Sequence, residues 1–100
     1  MCEEMIKLRQ YLDEHEINWL DHSDPPEYTR THIDRTHFLI GNHFVSVIHG
    51  FGTHGGVSLF GNDNKLLEMR IDRNDPKGWL KADDVMKMVE EIQNDYNSQR

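Results

Sequence analysis

Residues 30–56 read RTHIDRTHFLIGNHFVSVIHGFGTHGG, and Gly41 and Asn42 in the middle of that stretch decide the fold. Two apolar runs, FLI and FVSVI, flank the pair. A Gly-Asn spacer between such runs is a β-hairpin signal, because both residues reach the positive φ that a two-residue turn demands. The turn sets the register. Ile40 then faces His43, Phe38 faces Val45, Thr36 faces Val47, Asp34 faces His49 and His32 faces Phe51, all on one side of the sheet. Ile33, Leu39, Phe44 and Ile48 fall on the other side, with His37 beside Ser46. A slip of one residue would carry every side chain through the sheet.

Outward from the hairpin, residues 3–15 read as an amphipathic helix. Met5, Leu8 and Leu12 form its stripe, Tyr11 lies beside them, and Glu3 and Glu4 suit the first turn. INWL at 17–20 reads as a first strand, and the prolines of SDPPE make a loop. The second strand starts at about Thr31, and the third runs from His43 to about His49. GFGTHGG is a glycine-dense loop. Residues 57–60 and 66–71 flank the turn GNDNK and supply a split fourth strand. RNDPKG is a loop again. Trp79 and Leu80 lead into a helix over 82–94 with Val85, Met88, Val89, Ile92 and Tyr96 on its stripe, and NSQR at the chain end should fray. The pattern predicts one α+β domain over residues 1–100: an N-terminal helix, an antiparallel sheet of about four strands and a C-terminal helix.

Net charge is −7, and it is unevenly spread. Residues 1–27 carry eight acidic and two basic side chains, residues 28–80 five and six, and residues 81–100 five and three. Such terminal segments repel phosphates, which excludes direct nucleic-acid binding as the expected role. They suit a basic protein surface instead. Glu3, Glu4, Asp13, Glu14 and Glu16 are the richest acidic group and the expected partner-binding residues; Glu90, Glu91 and Asp95 form a second group. No apolar run reaches membrane-spanning length, and MCEEMIKLRQ lacks the layout of a signal peptide, so the expected location is the cytoplasm. Cys2 is the one cysteine; it forms no internal disulfide and reads as a terminal thiol without a role.

The histidines carry the chemistry. His32, Asp34 and His49 converge at the open end of the hairpin on one face. His54 follows in the glycine loop, and His22 arrives at the same end if the first strand pairs antiparallel with the second. Imidazoles with or without a carboxylate are what Zn²⁺ takes in tetrahedral geometry, so His22, His32, His49 and His54 are the candidate metal ligands. His37 and His43 fall outside the set. In so small a domain a structural zinc is the simpler use. The alternative is a metal-dependent enzyme or metal sensor built on the same histidines. No HExxH, P-loop or Ser/Cys–His pairing stands out, so the expectation is a protein without catalysis.

The segment LLEMRIDRNDPKGWLKADDVMKMVEE resembles the C-terminal part of a group of small phage- and mobile-element-encoded proteins of Gram-positive bacteria. In these an LLE strand leads through an E-P-x-G-W-L turn into a T-A-E-D-V helix. Gly78, Trp79, Leu80, Ala82 and Val85 carry the likeness, over about a quarter of the chain. Lys81 stands where threonine would cap the helix, which removes a side-chain cap. The motif is structural, with Trp79 and Leu80 expected to plug the core. The resemblance implies a phage or prophage setting, where small acidic proteins often inhibit host defence. Anti-CRISPR proteins against type II nucleases are similar in size and charge. The resulting expectation is a monomeric or homodimeric inhibitor that binds a basic host protein, a type II CRISPR nuclease, and blocks DNA loading.

Overall fold

A computed structural model describes residues 1–27 and 30–98. Helix α1 spans Glu3–Glu14. Five strands follow: β1 Trp19–Asp21, β2 Ile33–Ile40, β3 His43–Gly50, β4 Leu67–Ile71 and β5 Lys77–Leu80. Helix α2, Ala82–Ser98, runs four residues past the predicted end, so Asn97 and Ser98 close it while residues 99–100 lie outside the described part. The strands form one sheet in chain order, each antiparallel to the next. Among the described residues no helix is long and apolar enough to cross a membrane.

The hairpin register is the one that the Gly41 and Asn42 turn dictates. Ile40 pairs with His43, Phe38 with Val45, Thr36 with Val47 and Asp34 with His49. Gly41 takes φ 60°, and a Cβ there would lie 2.8 Å from the Tyr96 ring, so the end of α2 packs onto the turn. Both helices cover the same face of the sheet. Met5, Leu8 and Leu12 of α1 and Ala82, Val85, Met86 and Val89 of α2 close over Phe38, Ile40, Val45, Val47, Leu67 and Met69. Arg9 fixes α1 in place. Its Nε donates to buried Thr36 at 2.8 Å, its Nη2 donates to Asp21 and to the Arg35 carbonyl at 3.2 Å, and its guanidinium lies 4.6 Å over the Trp19 ring.

The two helices lie side by side in the same direction. Glu4 accepts from the Ala82 amide at 2.8 Å, Tyr11 donates to Asp83 at 2.8 Å, and His15 and Glu90 line one hollow. The cap that Lys81 cannot supply comes from two carboxylates: Asp84 accepts the Lys81 amide at 2.9 Å and Glu4 takes the next one.

Two expectations change. Residues 57–60 are not a strand; Val57 makes only isolated bridges, and Leu59 and Phe60 face solvent. The chain pairs instead at 77–80, a segment that reads as the end of a loop and a lead into the helix because Pro76 precedes it and Gly78 lies in it. A bulge between Leu67 and Met69 accommodates that pairing. Trp79 sits in the bulge at φ 60° and is 59% exposed, so it does not plug the core, while Leu80 packs against it.

Candidate functional site

Parity in β2 and β3 brings His32, Asp34 and His49 to the helix-covered face, at the end of the hairpin away from its turn. They line a hollow of about 440 Å³ beside the first turn of α1. The sequence expectation of convergence holds for these three. Two further groups join them that sequence reasoning assigned no role. Cys2 occupies the N-cap position of α1 and is half-buried; Asp63 comes from the loop between β3 and β4.

The contacts divide the hollow into two pairs. The His32 Nε2 lies 2.8 Å from Asp34 Oδ1, and the His49 Nε2 lies 3.0 Å from Asp63 Oδ1. His49 is only 6% exposed. A hydrogen bond with Cys2 is the largest influence on its ring, and Asp63 adds to it. Together they outweigh burial and push the imidazole up to about 9. His49 is therefore held as a cation between a thiol and a carboxylate. Asp63 is lowered in turn by the His49 hydrogen bond and by the Lys65 amide, against the opposing effect of its own burial.

The other two proposed ligands lie elsewhere. The His22 ring stacks on His37, centroid to centroid 4.7 Å, and His37 meets Phe44 edge-on at 5.0 Å. All three lie on the open face of the sheet, because β1 pairs Leu20 with His37 and His22 shares the parity of Leu20. His54 pairs its Nδ1 with Glu68 at 2.7 Å, and its backbone amide donates to the same carboxylate at 2.9 Å. His43 lies 2.6 Å from Asp72. Four imidazoles thus meet four separate carboxylates. Among the described residues no group of three or more His, Cys, Asp and Glu side chains is arranged to hold a metal ion.

The open face is the second candidate surface. Leu20 and Leu39 are each 64% exposed and Phe44 is 42% exposed. A groove of about 620 Å³ joins them to Trp19, Phe38 and Ile40 of the covered face and to Gln93 of α2. Burial, then the charges of His22 and Arg35, hold His37 below the ordinary imidazole range.

The acidic residues also sort by use. Glu4 caps α2 and Asp13 accepts from the Trp19 indole at 2.8 Å, so both serve the fold. Glu3 lines the thiol hollow, while Glu14 and Glu16 are exposed at the far end of α1. No protein-family model, curated protein or solved structure matches the chain.

Proposed function

We propose that this is a binding protein that docks its helix layer on a basic protein surface. The supporting observation is electrostatic. The two helices carry nine carboxylates against Lys7, Arg9 and Lys87, which is −6 of the net −7. Arg9 is turned inward onto Thr36. The helices run side by side in the same direction, so their negative dipole ends point the same way. Neither has a basic residue in its last turn, and Glu14 and Asp95 stand there instead. That arrangement is unfavourable in isolation and is relieved by a cationic partner. Glu4 and Asp13 are spent on the fold, so Glu14, Glu16, Glu90 and Glu91 are the residues proposed to face the partner.

A groove built to bind nucleic acid has the required charge. The resemblance of the C-terminal segment to phage-encoded proteins points to a type II RNA-guided nuclease in a bacterial cytoplasm as the partner. The test is a target-cleavage assay with the protein in molar excess. Cleavage is expected to fall at low salt and recover as salt screens the contact. The double change E14K/E90K is expected to abolish inhibition. Undiminished cleavage at low salt ends the reading for that nuclease.

A further inference from the structure

We propose that Cys2, His49 and Asp63 form a nucleophilic thiol site that accepts an activated acyl group, an ester or thioester of a short acyl chain. Three residues distant in sequence meet at one hollow of about 440 Å³: one from the N-cap of α1, one from the buried face of β3 and one from the following loop. Their order is that of a nucleophile, its base and the group that orients the base. The His49 ring is fixed between the Cys2 thiol and Asp63 Oδ1, which lies 3.0 Å from its Nε2. The backbone after it is equally constrained, since a Cβ on Gly50 would lie 2.3 Å from the His32 carbonyl oxygen.

The surroundings suit acyl chemistry. No side chain caps α1, so its first-turn amides are left beside Cys2 at the positive end of the helix dipole. Amides in that position stabilise the oxyanion that forms when a thiolate adds to a carbonyl. Met1 and Val57 give the hollow an apolar part for a short acyl chain, and Lys65 also lines it. His49 stands against the sulfur, where in its protonated form it supplies the proton that the leaving group needs.

The step balances with the groups present. The Cys2 thiolate attacks the carbonyl carbon of an ester and a C–S bond forms. The bond from that carbon to the leaving oxygen breaks, and His49 gives its proton to that oxygen, releasing an alcohol. The product is a thioester on Cys2 beside a neutral imidazole. Water, deprotonated by His49, then displaces the sulfur and releases the carboxylic acid. No oxidant or reductant is required. The pairing His43–Asp72, at 2.6 Å beside the hairpin turn and away from the hollow, takes no part and serves as an internal control.

The test uses p-nitrophenyl acetate and the intact chain at neutral pH. A burst of about one p-nitrophenolate per chain is expected, with the acetyl group found by mass spectrometry on the peptide that contains Cys2. Acetylation of Cys2 is expected to run at least about tenfold faster in the folded chain than in the same chain unfolded in urea, where the thiol is an ordinary one. That comparison needs no variant. Cys2→Ser is expected to lose the burst, His49→Gln to slow it to the unfolded rate, and His43→Gln to leave it unchanged. A burst that survives in Cys2→Ser, or a Cys2 that reacts no faster folded than unfolded, overturns the proposal. Both results are independent of the nuclease assay, which does not involve the thiol.

Discussion

His37 on β2 and His49 on β3 lie on opposite faces of one hairpin, and the two faces treat the same side chain in opposite ways. Under the helices His49 is buried between Cys2 and Asp63 and is held as a cation. On the open face His37 is packed between another imidazole and a phenyl ring and is held neutral. The difference extends beyond the histidines. The polar groups of the covered face are satisfied one by one, as with Thr36 under Arg9, and no buried side-chain polar atom of the described residues lacks a partner. The open face instead leaves Leu20, Leu39 and Phe44 in contact with solvent. Which residues meet which fate depends on parity alone, and parity depends on the turn at Gly41 and Asn42.

The largest effect should come from cutting the same kind of side chain on each face. Leu8→Ala removes a fully buried side chain from between α1 and the sheet and is expected to cost about 2–5 kcal/mol. Leu39→Ser, on a residue 64% exposed, is expected to cost less than about 0.5 kcal/mol. Urea unfolding midpoints compare the two directly. Similar losses would mean that something covers the open face, and the contrast between the faces would fail.

Two arginines, Arg9 on α1 and Arg35 on β2, sharpen the contrast at smaller magnitude. Arg9→Met removes the donor to the buried Thr36 hydroxyl beneath α1, while the Arg35 carbonyl keeps the His22 amide, an expected loss of about 1–3 kcal/mol. Arg35→Met breaks an ion pair with Asp24 at a partly exposed site on the other face, where about 0–1 kcal/mol is expected. The same unfolding measurement checks both. An Arg35→Met loss equal to that of Arg9→Met would show that Asp24 and Arg35 organise the 22–33 connection as tightly as Arg9 anchors its helix.

Much of this was readable from residues because hairpin geometry is local. One Gly-Asn pair sufficed to put Asp34 opposite His49 and to separate both from His37. The helices were legible from spacing, with Met5, Leu8 and Leu12 on one stripe. What failed was non-local. Strand β5 contains Gly78 and follows Pro76, so its residues read as a loop until β4 is there to pair with them. VSLF at 57–60 has strand composition, yet the glycines before it turn the chain out and leave Phe60 93% exposed. His22 reaches the expected end, yet it lies on the open face, because Leu20 pairs with His37 and His22 shares the parity of Leu20, a register that INWL does not specify. Cys2 and Asp63 carried one faint signal: a cysteine directly before an amphipathic helix occupies a cap position. A turn aspartate such as Asp63 has no periodicity from which its place could be read.

The smallest expected effect separates the two histidines by pH. His37 has its folded value below the ordinary 6.5, so the unfolded chain binds the proton more readily and stability falls as pH drops below 6.5. His49 has its folded value raised to about 9. Its contribution is fully present below 6.5 and is lost as pH rises from there to about 9. One titrating ring bends the stability curve by no more than about 1.4 kcal/mol per pH unit, and solvent access at His37 reduces its share. His37→Gln should therefore flatten the acid limb of the curve and leave the alkaline limb alone, and His49→Gln should do the reverse. Urea midpoints across the range read the limbs, and ring-proton NMR reads each imidazole separately. If both rings titrate near 6.5, the two faces do not differ in the way that their contacts imply, and the cation beside Cys2 is absent at neutral pH.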